Sequence, residues 1–190
     1  MHTTLRSAAL AALPALALGA CGGTTSPPPS NTPTTTSASV FTSTDFTAHI
    51  PGGWTDQTTN ESAVTSVSVN GTVLMLLVPP ASFAARASEH IDVSMVQQPV
   101  PSDQLSAYVQ SVSQHGATNL SSVQAFNLDG ATGLFVTYDL SANGASNKAQ
   151  DMVVDHNNNT YDIVLNTHAA DFAAQLPALQ EVLNSWRWAS

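Results

Sequence analysis

Glycine follows asparagine or aspartate at three places in this chain, and these pairs separate runs of alternating apolar and polar residues. The pairs are Asn70-Gly71, Asp129-Gly130 and Asn143-Gly144, and Asn157-Asn158-Asn159 is a fourth turn of similar character. Such residues tolerate the left-handed backbone of short hairpin turns. Strands joined by so few residues pair antiparallel, because parallel strands need a crossover of a dozen or more residues. The turns therefore predict a mainly antiparallel sheet.

The apolar runs between the turns predict the strands. The first is Phe41 to Ile50, which Pro51-Gly52-Gly53 ends. An irregular second strand over Val64 to Val69 would form a hairpin with Val73 to Val78 through Asn70-Gly71. Because Val73 to Val78 is apolar on both faces, we expect it to be covered on both sides. The other predicted strands are Ile91 to Met95 and a meander of Val123 to Leu128, Leu134 to Leu140, Met152 to Val154 and Tyr161 to Leu165.

One helix is predicted between Ser102 and His115, in the middle of the domain. Apolar residues in this segment recur at positions i, i+3, i+4 and i+7, which places them on a single helical face. Ser102 is the predicted N-cap, and Gly116 is the predicted stop. This helix would cover one face of the sheet.

A second helix is predicted near the C terminus, where apolar residues from Asp171 to Trp186 fall on one helical face. Pro177 argues against an unbroken helix, since an interior proline costs ~3 kcal/mol. We therefore predict a short turn through Gln175 and a main helix from about Leu176, with Pro177 in its first turn. Trp186 and the earlier Trp54 are both predicted to be buried.

The first 20 residues have the features of a lipoprotein signal peptide. A short segment with one basic residue, Arg6, precedes an apolar stretch over Ala8 to Ala20. That stretch is shorter than the ~20 residues of a membrane-spanning helix. Leu18-Gly19-Ala20-Cys21 resembles a bacterial lipobox, so Cys21 is the predicted lipid attachment site. The alternative is an ordinary secretory signal followed by an incidental cysteine.

Residues 21–39 are predicted to form a linker between the lipidated Cys21 and a domain over residues 40–190. From Thr24 to Ser39 the chain is rich in serine, threonine and proline and has no charged residue. Such a segment cannot bury enough apolar surface to offset the entropy of ordering. The predicted location is the extracytoplasmic face of the cell membrane, within the cell envelope.

Composition limits the classes of partner. The chain has 13 aspartates and glutamates against 4 lysines and arginines, and this acidic balance argues against nucleic acid as a partner. Cys21 is the only cysteine, so no disulfide can form within the chain. The length suffices for one domain with its own core, and a monomer is the expected state.

No motif indicates a catalytic centre, a metal site or a cofactor. The histidines after the signal are scattered, at His49, His90, His115, His156 and His168. Asp155 to Asn159 matches the first half of a calcium loop, but Thr160 occupies the position that requires glycine. A hairpin turn is the better interpretation of this segment. No serine lies in a Gly-x-Ser-x-Gly motif, so no catalytic residue, metal or cofactor is predicted.

The order of several short motifs resembles a known family. A Phe-x-x-x-x-Phe strand leads to Pro51-Gly52-Gly53-Trp54, and the central helix, the Asp129-Gly130 hairpin and Leu183-Asn184-Ser185-Trp186-Arg187-Trp188 follow. This order resembles the LpqN/LpqT-type lipoproteins of mycobacteria and their relatives, over residues 40–188 and the lipobox. The resemblance implies an α+β, PsbP-like fold, a twisted and mainly antiparallel sheet with helices packed on its faces. It implies no catalytic residue.

Two classes of function remain open from the sequence. The favoured interpretation is a non-catalytic binding module, anchored to the membrane through Cys21, for an envelope glycolipid or a protein partner. A lipid site would need an apolar cleft of roughly 300–1,000 Å³. A protein adaptor would need an exposed apolar patch. The alternative is an envelope hydrolase whose Ser, His and Asp meet only on folding. Trp186 and Trp188 would either line a ligand groove or lie in the core and at its edge.

Overall fold

Ten strands and three short helices make up the part of the chain that the computed structural model describes, namely residues 39–67, 70–80, 89–142 and 144–189. These residues belong to one compact unit, Thr36–Ser190. The predicted signal peptide, Cys21 and the predicted linker up to Ala38 lie outside the described residues, as do Val69 and Asn143. The strands are β1 Ser39–Thr42, β2 Phe46–Ile50, β3 Thr55–Asp56, β4 Gly71–Val78, β5 His90–Val96, β6 Gln124–Leu128, β7 Ala131–Ala142, β8 Ala145–His156, β9 Asn159–His168 and β10 Arg187–Trp188.

Seven strands form a large antiparallel sheet in the order β3-β4-β5-β9-β8-β7-β6. The predicted meander is confirmed as β6 to β9. Asp129 and Gly130 turn β6 into β7 with φ angles of 47° and 90°, and Asn157 and Asn158 turn β8 into β9 with φ angles of 49° and 64°. Both pairs adopt the left-handed backbone that their residue types predict. The mainly antiparallel α+β architecture is therefore confirmed.

A second, small sheet has the order β1-β2-β10. The predicted single strand over Phe41 to Ile50 is wrong, because the chain reverses within it and forms β1 and β2. The Ser43 hydroxyl accepts hydrogen bonds from the backbone N–H groups of Asp45 and Phe46, at 3.2 and 3.1 Å. This local serine turn replaces the strand hydrogen bonds at that point.

The predicted strand over Val64 to Val69 is also wrong, because helix α1 occupies Glu61–Ser66. Asn60 caps this helix, and its side-chain oxygen accepts a hydrogen bond from the Ala63 N–H at 3.3 Å. Glu61 adds a negative charge to the first turn, where the helix dipole favours it. Asn70-Gly71 therefore leads into β4, which pairs with β3 and β5, and does not form the predicted hairpin.

The central helix, α2, spans Leu105–Gln110 and is flanked by 3-10 turns over Ser102–Gln104 and Ser111–His115. Gly116 ends the helical segment with a φ of 91°, as predicted. Ser102 is not the N-cap. Its hydroxyl donates instead to the Asp155 carboxylate at 3.2 Å, which attaches the start of the helical segment to β8.

The C-terminal helix, α3, spans Phe172–Ser185 without a break. The predicted start near Leu176 is wrong. The backbone N–H groups of Ala174 and Gln175 both donate to the Asp171 carbonyl at 3.0 Å, so the first turn forms before Pro177 is reached. The helix then continues through Pro177, which supplies no backbone N–H. None of the helices in the described ranges has the length and hydropathy that a membrane span requires.

The two faces of the large sheet have separate apolar cores. Helix α3 and the small sheet cover one face, where Trp186 is fully buried and its ring stacks on Phe46 at 3.8 Å. Trp54 is 9% exposed in the same core, so both predicted tryptophans are buried. Helix α2 covers the other face, where Leu105 and Val109 pack against β7 and β8. Strand β4 is buried on both sides, as its sequence predicts, at Met75, Leu76 and Leu77.

Candidate functional site

A groove open to solvent lies between α3 and the small sheet, and it has a volume of about 810 Å³. Polar and apolar atoms line it in nearly equal measure, and its apolar residues are Val40, Ala48 and Pro177. The polar lining residues are Thr47, His49, Gln180, Glu181, Asn184, Ser185 and Arg187. The groove thus combines two planar amides, a carboxylate and a guanidinium on one surface.

Strand β2 and helix α3 are tied together along this groove by Ser185. Its hydroxyl oxygen accepts a hydrogen bond from the His49 backbone N–H at 2.8 Å and lies 2.8 Å from the Glu181 carbonyl, to which it donates. The exposed face of α3 places Gln180 and Asn184 one turn apart, since residues four apart lie on the same side of a helix. The groove wall is therefore built on regular elements whose positions are fixed by the core.

The chemistry of the groove suits a polar ligand. Its volume lies within the range of roughly 300–1,000 Å³ that small-molecule sites occupy, but such sites are usually lined by apolar and aromatic side chains. Hydroxyl groups and amides of a ligand would find both donors and acceptors in Gln180 and Asn184. Among the described residues, the one large hydrophobic side chain that is strongly exposed is Val40, at 57%.

The C-terminal aromatic pair does not line the groove. Trp186 lies in the core, and Trp188 lies at its edge with the His156 ring stacked on it at 4.1 Å. The Trp188 indole N–H donates to the Leu128 carbonyl at 3.0 Å, and its backbone N–H donates to Asp129 at 2.9 Å. These contacts join β10 of the small sheet to the β6–β7 turn of the large sheet. The arrangement is the core-and-edge alternative of the two that the sequence left open.

A serine, an aspartate and a histidine do meet on β5, but in the wrong order for hydrolysis. The Ser94 hydroxyl donates to Asp92 at 3.0 Å, and Nε2 of His90 lies 3.2 Å from the other oxygen of the same carboxylate. A catalytic triad needs the imidazole between the nucleophile and the carboxylate, so that it can take the hydroxyl proton. In the ranges that the structure describes, no hydrogen bond links a serine hydroxyl to a histidine ring.

The segment that resembles half of a calcium loop is the β8–β9 hairpin. Asp155 accepts a hydrogen bond from the Thr160 hydroxyl at 2.6 Å, so one of its oxygens is engaged inside the turn. Thr160 also accepts a hydrogen bond from the Val100 N–H at 2.8 Å. Across the described residues, no group of three or more histidines, cysteines and carboxylates is arranged to hold a metal ion.

Three aspartates lie together on the sheet face beneath α2, and the sequence analysis missed them. Asp92 and Asp151 are 2% and 5% exposed, and Oδ1 of Asp162 is buried as well. Burial raises the pKa of Asp151 to about 6, and burial together with the nearby Asp151 raises the pKa of Asp162 well above its usual value. Asp92 and Asp162 each lie between two apolar residues of their strands, a pattern that predicts a solvated face, whereas Asp151 follows the polar Gln150. Only the packing of α2 shows that this face is covered.

Comparison with known proteins identifies the fold. No protein-family model and no curated protein matches the sequence. Among solved structures, the chain is similar to cyanobacterial PsbP (CyanoP) from Synechocystis sp. PCC 6803, with a TM-score of 0.50 and 17% identity over 90% of this chain and 99% of that one. It is also similar to LpqN of Mycobacterium tuberculosis, with a TM-score of 0.53 and 11% identity over 81% of this chain and 86% of that one. At such low identities these similarities show a shared architecture, so the domain has a PsbP-like fold.

Proposed function

We propose that this protein is a membrane-anchored binding module of the cell envelope that holds the polar headgroup of an envelope glycolipid in the groove between α3 and the small sheet. The groove itself is the observation that carries this proposal. Its amide, carboxylate and guanidinium groups match the hydroxyl-rich surface of a sugar. In this proposal the acyl chains of the glycolipid remain in the membrane.

The location in the envelope has separate support. Cys21 lies in a lipobox-like sequence at the end of an apolar N-terminal segment, and a proline-rich stretch follows it. The structurally similar LpqN is described as involved in cell envelope biogenesis. A lipid anchor at Cys21 would keep the groove near the membrane surface, where glycolipid headgroups are concentrated.

Native mass spectrometry of protein purified from its own membrane tests the proposal. We expect a glycolipid to copurify with the wild-type protein, and we expect the double variant Gln180→Ala/Asn184→Ala to lose it. The matched control is Gln114→Ala, because Gln114 is an exposed glutamine on the 3-10 turn after α2, away from the groove. This control should retain the glycolipid.

Other results would favour the competing functions. A stoichiometric protein that copurifies in place of lipid would indicate an adaptor. Hydrolysis of an envelope ester or glycoside, abolished by a serine or histidine substitution, would indicate an enzyme. Glycolipid that binds equally well to the wild type and to the double variant would place the site outside the groove.

A further inference from the structure

The three buried aspartates surround one residue in the middle of the large sheet. Val164 on β9 pairs with Asp92 on β5 and with Asp151 on β8. Asp162 lies two residues before Val164 and therefore on the same face of β9. Three carboxyls from three neighbouring strands thus share one small area beneath α2.

Asp151 and Asp162 are diagonal neighbours on the same face of the β8–β9 pair, because Asp162 pairs with Val153, and their carboxyls lie within hydrogen-bonding reach of each other. Two ionised carboxylates can only accept hydrogen bonds, so this contact requires a proton on one of them. Oδ1 of each residue is also buried and has no hydrogen-bond donor among the described residues. Protonation of the carboxyls supplies donors to this buried pair and removes its negative charge.

Among the groups that face this pair, Asp92 raises the pKa of both carboxyls, whereas the tyrosine hydroxyls offset part of that effect by donating hydrogen bonds. On β5, Asp92 adds its own charge and contacts His90 and Ser94. On β7, Tyr138 hydrogen-bonds to Asp151. The remaining neighbour comes from α2, where the Tyr108 hydroxyl donates to Oδ2 of Asp162 at 3.3 Å.

Helix α2 is the element that can yield when this charge appears. It is six residues long, and its apolar contacts with the sheet are centred on Leu105 and Val109. The other groups around the pair belong to β5, β7, β8 and β9, which are held by strand hydrogen bonds on both sides. Displacement of α2 would admit water to the carboxyls while the sheet stays intact.

We propose that the Asp151–Asp162 pair is a proton-dependent latch for α2: the helix closes over the sheet while Asp151 is protonated and loosens when Asp151 loses its proton. Because burial raises the pKa of Asp151 to about 6, the folded chain keeps its proton at a pH where an unfolded aspartate has released it. The stabilisation is therefore fully present below ~pH 3.9 and is lost as the pH rises through about 6.

Hydrogen exchange on the full chain at pH 5 and pH 8, corrected for the intrinsic pH dependence of amide exchange, tests this latch. A pKa raised by about two units corresponds to at most a ~100-fold change in the opening equilibrium, so we expect α2 amides to lose ~10- to 100-fold of their protection at pH 8. In Asp151→Asn, no proton can be lost at this position, and this loss should fall below ~threefold.

Asp103→Asn is the matched control, because Asp103 is exposed on the 3-10 turn that leads into α2. It should behave like the wild type. Asp151→Ser provides the same test if Asp151→Asn does not fold. The proposal is overturned if wild-type α2 protection does not change with pH, or if it changes equally in the Asp151 variant. It is also overturned if β9 loses protection in parallel with α2, since the effect would then be global unfolding.

Discussion

At the scale of single residues, the core beneath α3 depends on Trp186. The side chain is fully buried, and its ring lies 3.8 Å from Phe46 and 5.1 Å from Trp188. We expect Trp186→Ala to lower the free energy of unfolding by ~3–5 kcal/mol, because the truncation leaves a cavity that the surrounding sheet cannot fill. Urea denaturation followed by circular dichroism measures this change.

Val40→Ala is the control for that substitution, since Val40 is 57% exposed and should change the stability by less than ~0.5 kcal/mol. A Trp186→Ala midpoint that matches the midpoint of this control would show that the tryptophan is not a core residue.

A second residue-scale prediction concerns Gly133 on β7. A Cβ atom at this position would lie 2.5 Å from the Val153 carbonyl oxygen and would also collide with the Phe126 ring. We expect Gly133→Ala to lower the free energy of unfolding by ~1–3 kcal/mol, because strand β8 and the aromatic ring would have to move. Gly52→Ala is the matched control, as a Cβ there meets no atom within 4 Å. Thermal denaturation of the two variants should separate them, and equal melting temperatures would contradict this account.

The residue scale also shows what a sequence pattern can and cannot predict. Burial of Trp54 and Trp186 could be predicted, because a large aromatic side chain next to a turn or on an apolar helix face is usually buried in the core. Burial of Asp92, Asp151 and Asp162 could not. The alternation of Asp92 and Asp162 with apolar residues distinguishes two faces of a strand, but it does not reveal that a distant helix covers the polar one.

At the scale of elements, the two wrong strands have a common cause. Ser43 and Asn60 each use a side-chain oxygen to bind nearby backbone N–H groups, and this local bonding starts a turn in one case and a helix in the other. Hydrophobic periodicity does not detect such bonds. Asn60 followed by Glu61 was a helix-start signal in the sequence, whereas three neighbouring valines suggested a strand.

Pro177 allows a prediction about α3. An interior proline leaves the carbonyl four residues before it, that of Ala173, without its helical hydrogen bond. Proline also restricts the unfolded chain, which offsets part of that cost by ~0.4–1 kcal/mol. We therefore expect Pro177→Ala to raise the free energy of unfolding by ~1–2 kcal/mol. Chemical denaturation measures the change, and a loss of stability would show that the proline ring contributes packing that outweighs the missing bond.

At the scale of the whole molecule, the order of the turns predicted the main architecture. It did not predict the pairing of the last strand with an early one. The meander from β6 to β9 follows from its turn residues. Strand β10 has only two residues, Arg187 and Trp188, and it pairs with β2 about 140 residues earlier in the chain. No local pattern specifies such a distant pairing. The groove depends on this same arrangement, since β2, β10 and α3 form its walls, and it could not be predicted from the sequence for that reason.

The last prediction concerns the attachment of the whole protein to the membrane. Each buried methylene contributes ~0.8 kcal/mol to membrane binding, so two or three acyl chains on Cys21 would hold the protein durably. We expect mass spectrometry of the purified N terminus to find Cys21 as the first residue, with a lipid on its sulfur. We expect Cys21→Ala, exported through a signal peptide without a lipobox, to leave the membrane fraction, because this substitution removes the proposed site of lipid attachment.

Ser26→Ala, in the predicted linker, is the control for export and should remain membrane-bound when it carries the native signal. The domain that begins at Ser39 should give the same circular dichroism spectrum in both variants, since Cys21 precedes β1 by 18 residues. An unmodified Cys21, or a Cys21→Ala protein that stays with the membrane, would show that attachment does not depend on this cysteine. The second result would leave the domain's own surface as the contact that holds it at the membrane.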